Sequence, residues 1–324
     1  MTTPRILATL MIWTSLAVLL AAGDADAQLL GANTLGDYGL SSASQPPPGF
    51  WLAGAYYGYD GDKLVDRDGN EFLPEYPGDL DVNALALVGW YVTKAKIFGG
   101  LYSFQIAPAF SNNALNSPIL GLDTKTSMGF GDLYVQPINL GWHNERSDVI
   151  AGLGLTMPTG RFSPDASDNL GSGMWTYELF AGATFYFDEA KSWTFAATGY
   201  FEMHSEKKDI DQKVGNILTV EGGLGKALLG GGLTVGAAYY AQWKLSADQL
   251  GQDIDDQLDT AGLPQPGKHR GYGIGPEVVV AFAGDTKLIG TLSLRYLWDT
   301  GVRTNVQGST FVATATFPIP SLPL

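Results

Sequence analysis

From residue 49 onward, apolar and polar residues alternate at every second position in run after run. In 174–187 one set is Trp175, Tyr177, Leu179, Ala181, Ala183, Phe185 and Phe187; the interleaved set is Thr176, Glu178, Phe180, Gly182, Thr184 and Tyr186. In 232–245, Leu233, Val235, Ala237, Tyr239, Ala241, Trp243 and Leu245 alternate with Thr234, Tyr240, Gln242 and Lys244. In 287–298, Leu288, Leu292, Leu294, Tyr296 and Trp298 share one face, with Thr291, Ser293 and Arg295 opposite. A period of two is the signature of a strand, whose successive side chains point to opposite faces. The pattern predicts strands over 49–59, 81–93, 99–110, 127–140, 148–157, 174–187, 192–204, 214–227, 232–245, 271–283, 287–298 and 308–317. Each is near the ~9–11 residues with which a tilted strand crosses a bilayer, or slightly longer.

The connections alternate too. Short ones read "KAKIF", "HNERSD", "EAKS", "LGGG" and "GDT"; long ones cover 60–80, 111–126, 158–173, 205–213, 246–270 and 299–307. Short turns at one end and long loops at the other are the layout of an outer-membrane barrel. A soluble sandwich would also alternate, but it would place many charges on its strands. Here charges sit mostly in connections, and aromatics such as Trp175 and Phe187, or Trp193 and Phe201, bracket the apolar stretches, as interfacial girdles do. A sheet in hydrocarbon must close, because an open edge leaves backbone groups unpaired in lipid. The expected fold is all-β: a closed antiparallel transmembrane β-barrel of about 12 strands, preceded by a signal peptide. The last strand, "STFVATATF", ends on an aromatic but is followed by "PIPSLPL".

Composition narrows the class. Glycine makes up 42 of 324 residues, nearly twice the ~7% of an average protein. The net charge of -14 argues against nucleic acid, which needs a basic footprint. With no cysteine there is no disulfide framework, thiolate nucleophile or cysteine metal site. Arg5 is the only charge before Asp24; it precedes "ILATLMIWTSLAVLLAA" and then Ala25-Asp26-Ala27. This is the form of a secretory signal peptide cleaved after Ala27, with a membrane-anchoring helix as the alternative. The expected organisation is 1–27 signal peptide, 28–48 flexible periplasmic lead-in ending in Pro46-Pro47-Pro48-Gly49, 49–317 barrel and 318–324 short tail.

The stretches "PPPGFWLAGAYYGYDGDKLVDRDGN", "GFGDLYVQPINLGW", "GLGLTMPTGRFSP" and "GYGIGPEVVVAF", in this order and spacing, resemble the phenol meta-pathway degradation proteins, predicted outer-membrane barrels of the MetA type. The resemblance runs from about Pro46 to Phe317. It implies a Gram-negative outer-membrane barrel that handles apolar, often aromatic, compounds, and it brings no catalytic residues. Pro158-Thr159-Gly160 then reads as a strand end entering an outer loop: proline lacks an N–H donor and glycine permits the turn. A phosphate-cradling loop would need G-x-x-x-x-G-K-[ST], which is absent.

If the apolar faces meet lipid, Asp132, Gln136, Glu178, Glu202, Glu221, Lys244, Glu277 and Arg295 project into the lumen. They form either an acidic conduit with two counter-charges or a salt-bridged interior that supports closure. Phe180, Tyr186, Tyr200 and Tyr240 face the same way and either contact an aromatic solute or pack a narrow bore. In 246–270, Ser246-x-x-Gln249 resembles a capping box and Leu250, Ile254 and Leu258 recur at helical spacing. A short amphipathic helix is expected there, resting on the rim or folded into the mouth. The acidic loop 59–72 lacks EF-hand spacing and reads as a solvated loop or a loose cation site.

Of the three histidines, His204 neighbours Ser205 on opposite strand faces, while His143 and His269 lie in connections. No nucleophile is paired with a base, and no histidine cluster suggests a metal. No enzymatic activity, metal or cofactor is expected. The expected partners are outer-membrane lipid and lipopolysaccharide, the barrel-assembly machinery, and a small apolar or aromatic solute taken up through a porin-like channel. A non-transporting structural or surface-interaction barrel is the alternative, and a lipid hydrolase is third.

Overall fold

The computed structural model describes residues 31–40, 42–71, 79–117, 122–164, 166, 168–251, 268–284 and 288–320. The signal peptide and most of the expected 246–270 helix lie outside them. The described residues form β1 (Gly49–Val65), β2 (Asp79–Ile97), β3 (Gly100–Ser117), β4 (Leu122–Lys125), β5 (Gly129–His143), β6 (Ser147–Met157), β7 (Thr176–Tyr186), β8 (Trp193–His204), β9 (Ile217–Leu228), β10 (Leu233–Lys244), β11 (Arg270–Ala283), β12 (Leu288–Arg303) and β13 (Asn305–Ile319). The short β4 pairs only with the outer part of β3. The other twelve form an antiparallel ring, closed by β1 against β13, with Leu52 opposite Phe317 and Tyr56 opposite Ala313.

Which residues face out follows from the solvent. The outward face carries apolar side chains at exposures that water would not favour, such as Leu87 at 55%, Ile274 at 56% and Trp298 at 55%. The inward face buries Glu202, Glu221, Thr198 and Thr219 completely. This distribution inverts that of a water-soluble protein and matches an outer-membrane barrel, apolar towards lipid and polar within.

The ends differ as the connections predict. Phe98 and Gly99, both at positive φ, join β2 to β3, the backbone that a two-residue hairpin turn needs. That end also holds the start of β1 and the end of β13, and by its short turns it is the periplasmic end. Two expectations change. Residues 299–307 are not a free loop: above Trp298–Ser309, β12 stays with β11 and β13 with β1, and the two meet at Thr304. The barrel also continues to Ile319, two residues into the expected tail.

At the outer end, Asp66 accepts from the Asp68 and Asn70 amides at 2.9 and 2.8 Å. The Asn70 amide above all holds its carboxyl below the usual carboxylate range. Among the described residues no group of acidic or histidine side chains is arranged to hold a metal ion.

Candidate functional site: the occupied lumen

Residues 31–40 and 42–46, expected ahead of the barrel as part of a flexible periplasmic lead-in, run instead through its interior. Their path can be followed from their partners. Near the outer end, the Ala32 and Asn33 amides donate to Glu202 Oε1 at 2.7 and 2.9 Å. Lower down, Gly36 and Tyr38 donate to Glu221 Oε1 and Oε2 at 2.8 and 2.9 Å. At mid-barrel, Leu40 donates to Glu277 Oε2 at 2.9 Å. Near the periplasmic end, Ser44 Oγ donates to Asp148 at 2.6 Å and Gln45 Nε2 to Ser103 Oγ at 2.8 Å. The three prolines then lead out, and Trp51 Nε1 closes back on the Pro47 carbonyl at 3.0 Å.

Local sequence explains how an unpaired segment can lie so close to the wall. Gly36 has φ +80°, and a Cβ at Gly39 would stand 1.8 Å from Glu277 Oε2. Gly36 thus holds a backbone conformation that other residues rarely adopt, and a side chain at Gly39 would displace the Glu277 carboxylate. The wall is complementary. Leu40, 1% exposed, seats its side chain over bare backbone: a Cβ at Gly223 or at Gly236 would come within 2.7 Å of its Cδ2. Tyr38 stacks on Tyr200 with ring centroids 5.4 Å apart.

The predicted inward residues therefore have specific partners. Arg295 pairs with Glu277 at 3.1 Å and donates to the Gly36 carbonyl at 2.8 Å and to that of Asp37. Glu178 accepts from Tyr134 at 2.5 Å, Tyr134 from Gln136 at 2.9 Å, and Gln136 from Asn139 at 3.1 Å, a chain along the wall beside the segment. Asp132 sits at the outer end of β5, where it accepts from the Gly160 and Ser172 amides at 2.9 and 2.8 Å and pins the 158–173 loop. Lys244 is paired with Asp248 at 2.6 Å, and Asp248 accepts the Gly215 amide at 2.7 Å, which ties two outer loops together.

The aromatic residues divide similarly. Phe180 and Tyr200 pack with Ala43 and Ile150, and Tyr240 packs with Ala238, Leu297 and Leu35. Tyr240 also donates to Asp299 at 2.5 Å. Tyr186 lies near the periplasmic end and donates to Asp148 at 2.6 Å. The expected capping box at Ser246 does not form: Gln249 bridges to Lys213, and Ser246 Oγ accepts the Asn216 amide at 2.8 Å.

Sequence reasoning did not reach Tyr38, Leu40, Asp148 or Ser103. The glycines at 31, 36 and 39 were the available signal, since closely spaced glycines ahead of a first strand permit close packing. His143, Asp148 and Ser44 do meet, but the carboxylate lies between the imidazole, at 3.0 Å, and the hydroxyl, at 2.6 Å. A hydrolytic triad places the imidazole between them.

The fold has solved relatives. The COG4313 outer membrane channel from Pseudomonas putida F1 is 17% identical, covers 89% of this chain and 100% of its own, and superposes with a TM-score of 0.69. The β domain of the Bordetella autotransporter BrkA is 15% identical over 84% of this chain and 100% of its own, with a TM-score of 0.49. The CymD monoaromatic hydrocarbon channel is 10% identical over 85% and 90%, with a TM-score of 0.41. At these identities only the first likeness carries weight, and it bears on the fold. No curated protein matches the chain. The family described as "Putative MetA-pathway of phenol degradation" matches residues 61–315, most of the chain, and this outer-membrane β-barrel belongs to it.

Proposed function

We propose that the protein is an outer-membrane channel for small apolar solutes of the aromatic class, shut in this conformation by residues 31–45 in its own lumen. One observation carries the reading. A separate chain segment, held through hydrogen bonds and apolar contacts, fills the bore together with the wall side chains that pack around it. Barrels of this strand number lie between side-chain-filled small barrels and water-filled porins, so a displaceable segment decides whether the bore conducts. The family's link to phenol degradation and the inward Phe180, Tyr200 and Tyr240 favour aromatic solutes. In this reading the chain is processed after Ala27 and inserted by the barrel-assembly machinery. It meets lipopolysaccharide in the outer leaflet, and the inward acidic residues set selectivity.

The test is planar-bilayer conductance and phenol uptake into liposomes, comparing the refolded mature protein with a variant lacking 31–45. Brief or small openings in the first and stable, larger steps in the second are expected. If the shortened barrel folds but stays silent and neither form takes up phenol, the channel reading fails, and a structural, non-transporting barrel replaces it.

A further inference from the structure

On the outside of the barrel, where the start of β5 meets the loop after β6, lies an open cleft of about 480 Å³. Its apolar lining is Met128, Phe130 and Leu170, and its polar lining is Ser127, Thr159 and Arg161. Met128 and Phe130 are exposed, and Phe130 meets Phe110 of β3 edge-on with ring centroids 5.5 Å apart. Such outward aromatics belong to the girdle at the membrane interface. Leu170 reaches the strand because residue 129 is glycine: a Cβ there would stand 2.4 Å from Leu170 Cδ1. The loop that carries Arg161 is tightly tied. The Leu170 and Gly171 amides both donate to the Arg161 carbonyl at 3.0 Å, and the Asn169 side chain joins Ser163 to Ala166. Asp168 takes the guanidinium through its carboxylate, at 2.6 Å, and through its carbonyl. An arginine has five N–H donors, and both side chains of this pair are about half exposed, so donors remain for a further group. Lys125 on β4, two residues before Ser127, is exposed and adds a second cation nearby.

An occupant has to satisfy both linings. A free anion would leave Met128, Phe130 and Leu170 uncovered, and a bare acyl chain would leave the two cations unmet. A phosphorylated headgroup that carries acyl chains meets both demands. Its phosphate oxygens accept from the planar fork of a guanidinium, the hydroxyls of Ser127 and Thr159 offer further polar contacts, and the first acyl carbons pack on the apolar lining. The cleft stands at the outer end of β5, beside the outer leaflet, so the lipid that reaches it is the glycolipid of that leaflet. We infer that the cleft is a specific site for the phosphorylated, acylated sugar of lipopolysaccharide, with Arg161 on the phosphate and Phe130 against the acyl chain. The site lies outside the lumen and does not depend on whether the bore conducts.

Native mass spectrometry of the refolded full barrel in detergent tests it, with four probes: purified lipid A, its dephosphorylated form, phosphatidylglycerol and inorganic phosphate. The barrel should bind lipid A saturably and each of the other three at least about tenfold more weakly, the size of hydrogen bonds to a charged group. Arg161→Gln should weaken lipid A binding by a similar factor. Asp168→Asn removes the carboxylate beside the guanidinium, and it should bind lipid A as tightly as the parent or more tightly. If the Arg161–Asp168 pair only holds the loop, the two variants lose binding equally, and that result overturns the site. Arg161→Lys keeps the charge without the fork; it serves if the glutamine variant does not fold, and it should bind more weakly than the parent. Arg146→Gln, in the periplasmic turn where Arg146 pairs with Glu189, should change nothing. Undiminished binding of dephosphorylated lipid A overturns the phosphate contact. Equal binding of phosphatidylglycerol overturns the assignment to the glycolipid, and equal binding of inorganic phosphate overturns the role of the apolar lining.

Discussion

The Tyr38 amide donates to the Glu221 carboxylate across 2.9 Å, joining residues 183 positions apart, and the Gly36 amide takes the other oxygen of the same group. Both carboxylate oxygens of Glu221 are thus committed, whereas Glu202 uses one oxygen for two amides.

This difference separates two otherwise similar substitutions. Glu221→Gln replaces one acceptor by an NH₂ donor facing a backbone N–H, and it should loosen the segment by about 1–3 kcal/mol. Glu202→Gln can keep both amides on its remaining oxygen. Single-channel recording should show clearly more open time for Glu221→Gln than for Glu202→Gln. Equal effects would mean that charge, not hydrogen-bond geometry, holds the segment.

Leu40 is the apolar anchor of the same segment. Leu40→Ala removes a buried side chain from a fitted seat, a change that costs about 2–5 kcal/mol in well-packed cores. That loss should fall on docking, not on the barrel. Hydrogen exchange should quicken at Gly36, Tyr38 and Leu40 while the strand amides stay protected. Faster exchange throughout β9 and β10 would show that Leu40 holds the wall itself.

Leu179 points outward from the middle of β7 and is 47% exposed. Leu179→Arg places a charge against hydrocarbon and should cost roughly 2–4 kcal/mol at the bilayer midplane. Guanidinium unfolding in lipid vesicles would measure it. A change under about 0.5 kcal/mol, typical of an ordinary surface substitution, would contradict the assignment of this face to lipid.

His269 lies one residue ahead of β11. Burial, with a smaller contribution from the Lys244 charge, holds its imidazole down to about 3. The unfolded value is about 6.5, so the contribution of the neutral ring to stability is complete above ~6.5. It is lost as pH falls through the window towards about 3. Gln242 Nε2 is spent on Thr219, which leaves Gln242 Oε1 to accept from His269 Nε2 at 2.9 Å. Nitrogen chemical shifts should show a neutral ring protonated at Nε2 at pH 5. A titration midpoint near the ordinary histidine value would refute this.

The wall of the barrel was legible because its determinants are local. Leu179 beside Glu178, or Tyr239 beside Tyr240, already assigns two faces, since a strand repeats every two residues whatever it pairs with. The capping box was overridden for the converse reason. Ser246 and Gln249 have helix-start chemistry, but the Asn216 amide of the neighbouring loop donates to the serine hydroxyl and Lys213 forms a β-bridge with Gln249, and tertiary contacts outweigh weak local propensity.

By itself, the sequence determined a membrane-crossing sheet that must close, its lipid-facing side, and the inward orientation of Glu202, Glu221, Glu277 and Arg295. Only the tertiary structure decided what those inward groups hold. Residues 31–48 have no period to read, and their partners lie 104 positions away at Asp148 and 259 at Arg295. A carboxylate that points inward looks the same in sequence whether it faces a solute, a cation or a backbone amide. Its partner is set by which distant segment the closed ring encloses.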